Sequence, residues 1–151
     1  MIDLKNEGEA AYRALSEMLE DYRWLLEGEN PAIRIFLSGD RPIQFALADP
    51  DRLMGIDGRP SDLGQGYDAD FIPVISQRYG KVLNWNGRGP IPSGEREKLA
   101  SLVAQTHAEG KRLRLWASPE TEEAWQTLLE LGVDLINTDR LEELDMFLMK
   151  R

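Results

Sequence analysis

The sequence predicts an α/β fold in which short parallel strands alternate with amphipathic helices packed outside them. Three observations predict it. Short runs of strand character alternate with helical apolar stripes along the whole chain. Its 151 residues are 42% hydrophobic and 30% charged, enough for one globular domain with a sizeable core. No apolar run approaches the roughly 18 residues of a membrane helix.

Ile2 and Leu4 alternate with Asp3 and Lys5, so the chain is expected to begin inside a strand. A helix follows over about 7–26, with Tyr12, Leu15, Leu19, Tyr22 and Leu26 on one stripe and Trp24 expected in the core. Gly28-Glu29-Asn30-Pro31 ends it. Ala32 to Leu37 reads as a strand closed by Ser38-Gly39-Asp40. Pro42 to Ala48 suits a short helix with Pro near its first turn. Leu53 to Ile56 reads as a strand ending at Asp57-Gly58-Arg59. Glycines, Pro60 and four aspartates, counting the adjoining Asp57, make 58–70 a surface loop. Phe71 to Arg78 is expected as a short helix and Lys81 to Trp85 as a strand. A clear helix runs from about Gly94 to Glu109 with Leu99, Leu102, Val103 and Thr106 inward, and Gly110 stands at C′. Arg112 to Trp116 is a strand. Ser118 as N-cap and Pro119 at N1 open a helix that buries Ala124, Trp125, Leu128 and Leu129. Gly132 stops it, Val133 to Asn137 is a strand, and Asp139 with Glu142 opens the last helix as a capping box. Leu141, Leu144, Phe147 and Leu148 form that helix's apolar face.

Charge and composition exclude several functions. The net charge is −9, from 18 basic and 27 acidic residues. That opposes the basic footprint of a nucleic-acid binder and disfavours anionic membrane surfaces. The charge is concentrated at the ends: −5 over residues 1–30 and −6 over 115–151, against +2 over 93–114. These acidic blocks coincide with helical patterns and read as solvated helix faces. The absence of cysteine excludes a disulfide framework, a thiolate zinc site and a cysteine nucleophile. The single histidine excludes chemistry within this chain that needs two. Residues 1–5 have neither the basic segment nor the apolar segment of a signal peptide, which leaves the address unknown with cytoplasmic as the default. Gly64-x-Gly66 follows no strand-to-helix junction, and Asp68-x-Asp70 lacks the spacing of a calcium loop.

In parallel α/β folds chemistry gathers at the carboxyl ends of strands. Here those ends carry Asp3 and Lys5, Ser38-Gly39-Asp40, Asp57-Gly58-Arg59, Trp116 and Asn137. Lys111 to Glu120, then Trp125, then Gly132 to Asp139, resemble the last two β-α units of the glycerophosphodiester phosphodiesterase and phosphatidylinositol-specific phospholipase C-like superfamily. Ile2-Asp3-Leu4-Lys5 resembles the middle strand of the same barrel. Ile56 to Leu63 and Asn84-Trp85-Asn86-Gly87 resemble a bacterial, mostly uncharacterised branch of it. The resemblance implies a TIM-type (β/α)8 barrel that cleaves phosphodiesters with a divalent cation, Mg²⁺ or Ca²⁺, and two histidines. It implies Asp3 as a metal ligand and Lys5 as the catalytic group that meets phosphate oxygen. Positions i and i+2 of a strand share a face, so carboxylate and ammonium can converge on one diester.

The family's early strands, acidic pair and histidines have no counterpart here. Five strands are expected, near 2–5, 33–37, 53–56, 112–116 and 133–137, where a closed barrel has eight. The chain therefore reads as one partial domain, the C-terminal part of such a barrel. Tight binding of a divalent cation by this chain alone is not expected, because one carboxylate is too few oxygens. The implied partner is a small phosphodiester or a lipid headgroup, and family members are often exported. Trp116, Asn137, Arg59 and Trp85 are the candidate substrate contacts. Each has a plainer alternative: a barrel plug for Trp116, an ordinary strand end for Asn137, a salt bridge with Asp57 or Asp62 for Arg59, and a loop anchor for Trp85. His107, late in a helix, reads as structural. Two functions remain: a phosphodiesterase fragment incomplete for catalysis, or a non-catalytic half-barrel that self-associates or pairs with a missing N-terminal half.

Overall fold

The computed structural model describes residues 1–28 and 31–150. The expected helix stop at Glu29 and Asn30 lies outside them. The chain divides into two compact units, Met1–Gly58 with Gly64–Pro73, and Arg59–Leu63 with Val74–Arg151.

In the first unit β1 (Ile2–Leu4), β2 (Phe36–Gly39) and β3 (Gly55–Gly58) form a parallel sheet in chain order. Leu37 and Ile56, both fully buried, fill one of its faces. Each such side chain contributes roughly 1.5–3 kcal/mol by leaving water. The expected strands at 33–37 and 53–56 both start later in the structure. Laddering begins only where Gly55 N–H donates to the Ile35 carbonyl at 2.9 Å, so Ile33, Leu53 and Met54 are an apolar lead-in.

The expected single helix over 7–26 is three pieces: α1 (Gly8–Leu19), a 3₁₀ turn (Glu20–Tyr22) and α2 (Arg23–Leu26). A 3₁₀ turn has 3.0 residues per turn, so the apolar stripe loses phase there. Trp24, expected in the core, is 75% exposed, and Tyr22 is exposed too. Tyr12 stays on the buried side and donates its hydroxyl to Asp49 at 2.8 Å. Burial first, then the Asp49 carboxylate, holds its pKa well above the usual phenol value. α3 (Ile43–Leu47) links β2 to β3, close to its expected bounds.

In the second unit β4 (Val74–Arg78), β5 (Arg112–Trp116) and β6 (Leu135–Ile136) form another parallel sheet. The helices are α4 (Tyr79–Val82), α5 (Ser93–Ala108), α6 (Glu122–Glu130) and α7 (Leu141–Met149). Two expectations are reversed here: 71–78 contains a strand rather than a helix, and 81–85 opens with the end of α4 rather than a strand. The apolar run Phe71-Ile72-Pro73-Val74-Ile75 has no decisive period. Pro73 and three β-branched residues tip it to strand.

β5 has the expected bounds, and α5 comes within a residue of them. Leu99 and Thr106 are fully buried, and Gly110 takes φ 69. α6 starts later than expected: Thr121, not Ser118, caps it, accepting the Ala124 N–H at 3.2 Å. α7 has no side-chain cap, so the Asp139 capping box does not form. Instead Thr138 Oγ1 accepts the Arg140 N–H at 2.9 Å. Of the expected α7 face only Phe147 is buried; Leu141 and Leu148 are exposed.

Among the described residues six parallel strands therefore replace the five expected. The architecture is α/β, consistent with part of a (β/α)8 barrel; among the described residues β1 and β6 each ladder on one side only. No helix among the described residues is long and apolar enough to cross a membrane.

Candidate functional site

Register places the polar residues of the first unit in a row. Asp3 is the partner of Ser38, and Leu37 of Ile56, so Ser38 is followed across the sheet by Asp57. Side chains in register share a face. Asp3, Ser38 and Asp57 thus occupy one face of three neighbouring strands, opposite the buried Leu37 and Ile56. Ser38 Oγ donates to Asp57 Oδ2 at 2.6 Å, and both residues are buried. Arg41 Nη1 donates to the Asp57 carbonyl at 3.0 Å. At the open end of the row the Asp3 carboxylate pairs with the Lys5 ammonium, both well exposed. An exposed pair of this kind is worth about 0–1 kcal/mol.

Gly39 permits the row. Its φ is 77, and a Cβ there would run into the Leu4 carbonyl and the Asp3 carboxylate. Asp40, one residue on, serves the helix instead of the row. Its Oδ2 accepts the Gly8 N–H at 2.9 Å and closes the start of α1.

The second unit repeats the device with different chemistry. Arg78 is the partner of Trp116, and Leu115 of Ile136, so Asn137 follows Trp116 across the sheet. The Arg78 guanidinium lies 5.9 Å from the Trp116 ring centroid. One step down, Ser76 is the partner of Arg114. Arg114 donates to Ser76 Oγ at 3.5 Å and to Asn137 Oδ1. The upper face of this sheet thus presents two guanidiniums, an indole and an amide. Such donors hold phosphoryl oxygens and stabilise developing negative charge.

A cleft of about 440 Å³ opens beside this row, lined by Arg78, Tyr79, Gly80, Lys81, Asn84 and Ala117. Tyr79 donates its hydroxyl to the Trp85 carbonyl at 2.7 Å. Burial, then the Glu95 charge, pushes its pKa up to about 12, so it is a neutral phenol. Glu95 Oε2 accepts the N–H groups of both Asn84 and Trp85 at 2.8 Å. Ala117 holds φ 54, a left-handed conformation costly for a residue with a side chain.

The sequence-selected residues fall into distinct places. Asp3 and Lys5 stand together in the first unit, and Trp116 and Asn137 are neighbours in the second. Trp85 is 6% exposed and donates its indole N–H to the Arg88 carbonyl at 3.0 Å, the geometry of a loop anchor. Arg59 N–H donates to Asp62 Oδ2 at 2.7 Å ahead of the 3₁₀ turn Pro60–Asp62. His107 Nε2 lies 2.8 Å from Asp134 Oδ2, which also accepts the Leu113 N–H, so His107 is tied into the fold. Sequence reasoning misses Ser76, Arg78 and Arg114. A helical reading of 71–78 hides the first two. The third is legible as the residue two before Trp116 on the same strand face.

The donor set does not favour a divalent cation. Among the described residues no three of His, Asp and Glu come together as a metal site. Asp3 is engaged by Lys5, and Asp57 is buried against Ser38. By themselves the described residues do not assemble the six or more oxygens that Mg²⁺ or Ca²⁺ takes.

One comparison with known proteins falls on part of the second row. A model of the glycerophosphoryl diester phosphodiesterase family matches residues 112–142, which contain Arg114, Trp116 and Asn137. Altered inheritance of mitochondria protein 6 from Eremothecium gossypii is 25% identical over 133 residues, covering 76% of this chain and 34% of that protein. The homolog of the same protein from Arthroderma benhamiae is 24% identical over 155 residues, 91% of this chain and 49% of its own length. The chain thus spans about a third to a half of the curated relatives it matches, and both are fungal. No solved structure matches. That family likeness covers residues 112–142, about a fifth of the chain.

Proposed function

We propose that this chain is part of a phosphoric diester hydrolase barrel, and that the upper row of its second unit recognises the diester. The observation that carries this reading is the coincidence of the family match with the strand bearing Arg114 and Trp116 and the strand end bearing Asn137. In this reading Asn137 and Arg114 contact phosphoryl oxygens, and Trp116 packs on substrate carbons. Lys5 neutralises developing phosphoryl charge, and Asp3 is one ligand of a divalent cation whose other ligands belong to the complete protein. The substrate class is a glycerophosphodiester or a phospholipid-like headgroup. The bacterial branch suggested by Ile56 to Leu63 belongs to the same proposal.

The chain alone is expected to bind a glycerophosphodiester without hydrolysing it. The experiment is calorimetric titration with glycerophosphocholine, beside a turnover assay with Mg²⁺ or Ca²⁺. Binding weakened roughly tenfold by Asn137→Ala, a typical cost for one charge-assisted contact, supports the reading. Absence of binding at millimolar ligand defeats it. Turnover abolished by Asp3→Ala and by chelator defeats the claim that the chain is catalytically incomplete.

The alternative, a non-catalytic half-barrel that associates, is favoured by one feature: α7 exposes Leu141, Met146, Leu148 and Met149 on an otherwise acidic helix. Sedimentation of the chain decides it, since a monomer at high concentration counts against it.

A further inference from the structure

We infer that the cleft between the ends of β4 and β5 is a phosphate-binding subsite, with Arg78 and Lys81 as its two cationic walls. Both residues line it, three positions apart, where β4 passes into α4. Neither forms an ion pair among the described residues, in a chain with nine more acids than bases. The Glu95 carboxylate beside this segment accepts the Asn84 and Trp85 N–H groups and pairs with neither cation. Tyr79 adds no charge, since its proton is retained and donated to Trp85.

The two cations are not interchangeable. The Arg78 guanidinium rests over the Trp116 ring, which restrains a planar fork suited to two phosphoryl oxygens. Lys81 supplies a mobile point charge. Together they match a dianion better than a single carboxylate. Between them Gly80 has nothing within 4 Å of where a Cβ would stand, so the wall is open for a ligand. Opposite, Ala117 keeps a strained left-handed φ directly after Trp116, and strain of this kind concentrates at ligand sites.

The role of the subsite rests on the proposed phosphodiester function: it would hold a second, terminal phosphate of the substrate, selecting diesters that carry one. Binding itself needs no catalysis, so the two ideas fail separately. The shared chemistry is a phosphate monoester, free or on a lipid.

The test is backbone NMR of the full chain titrated with inorganic phosphate, and separately with phosphatidylcholine vesicles with and without phosphatidic acid. Saturable shifts at Gly80, Lys81 and Ala117 with inorganic phosphate support a soluble ligand. Binding only to vesicles that contain phosphatidic acid, lost in the same variants, supports a lipid one. The double variant Arg78→Gln/Lys81→Gln should weaken binding by at least about tenfold. Arg78→Lys should retain part of it, and Arg96→Gln, on α5, should leave it unchanged. Gly80→Leu keeps both charges and should block binding by bulk. No saturable shift with either probe overturns the inference, as do shifts that survive the double variant. If the double variant does not fold, survival of binding in Gly80→Leu overturns it.

Discussion

The two units are built alike and furnished oppositely. Each has three parallel strands in chain order with a polar row across one sheet face. In the first the row is acid, hydroxyl, acid: Asp3, Ser38 and Asp57. In the second it is guanidinium, indole and amide: Arg78, Trp116 and Asn137, with Arg114 beneath. The first row closes inward, because Asp57 and Ser38 are buried against each other. The second stays partly open, with Trp116 39% exposed. A buried, satisfied row costs stability when broken. An open row of donors costs binding instead. The scaffold therefore says little about function, and the row chemistry says most of it.

Glycines give the sharpest test of that difference. Gly39→Ala places a Cβ against the Leu4 carbonyl at φ 77, and β1 must move to make room. Destabilisation of at least about 3 kcal/mol is expected from the clash and the strained φ together. Gly80→Ala in the second unit meets open space at an ordinary helical φ and should stabilise by about 0.5–1 kcal/mol. Urea unfolding measures both. Equal effects would mean the close approach of β1 to β2 is not a constraint.

Next in size are the rows themselves. Asp57→Ala removes the carboxylate to which the buried Ser38 hydroxyl donates and should cost about 1–3 kcal/mol in urea unfolding. Trp116→Ala removes an exposed ring and a cation–π contact worth about 0.5–1 kcal/mol. Its larger effect should be on glycerophosphocholine binding. If Asp57→Ala changed binding more than stability, the assignment of roles to the two rows would be reversed.

Local signals make part of this legible in the sequence. Arg112 to Trp116 alternates with period 2, and Gly110 supplies the turn before it, so β5 is readable residue by residue. Asp3 and Lys5 are paired on one strand face by spacing alone. Trp24 escapes the helical pattern because a 3₁₀ turn shifts helical phase, and no single residue among Glu20 to Tyr22 announces it. The Ser38–Asp57 bond joins residues 19 apart, and only strand order brings them together. Arg78 becomes a site residue only once Val74–Arg78 is a strand, since its meeting with Trp116 is a matter of register.

The smallest expected effect concerns the segment after β6, at the margin of the open row. Glu120 Oε1 accepts the Thr138 hydroxyl at 2.5 Å and the Asp139 N–H at 2.6 Å. The Thr138 bond first, then the Asp139 amide, holds its carboxyl pKa below the usual glutamate value. A carboxyl depressed in the folded state contributes stability above its unfolded pKa and loses it as pH falls through the folded one. The difference in urea midpoint between the wild type and Glu120→Gln should therefore be present at neutral pH and shrink in acid, below the usual carboxylate range. Amide hydrogen exchange at Asp139 and Arg140 should speed up over the same interval, relative to the intrinsic rate, while that at Asp57 stays slow. A midpoint difference that grew on acidification would show that Glu120 does not hold this segment. It would also remove the reason for expecting Asn137, one residue before Thr138, to be fixed in place when a diester binds.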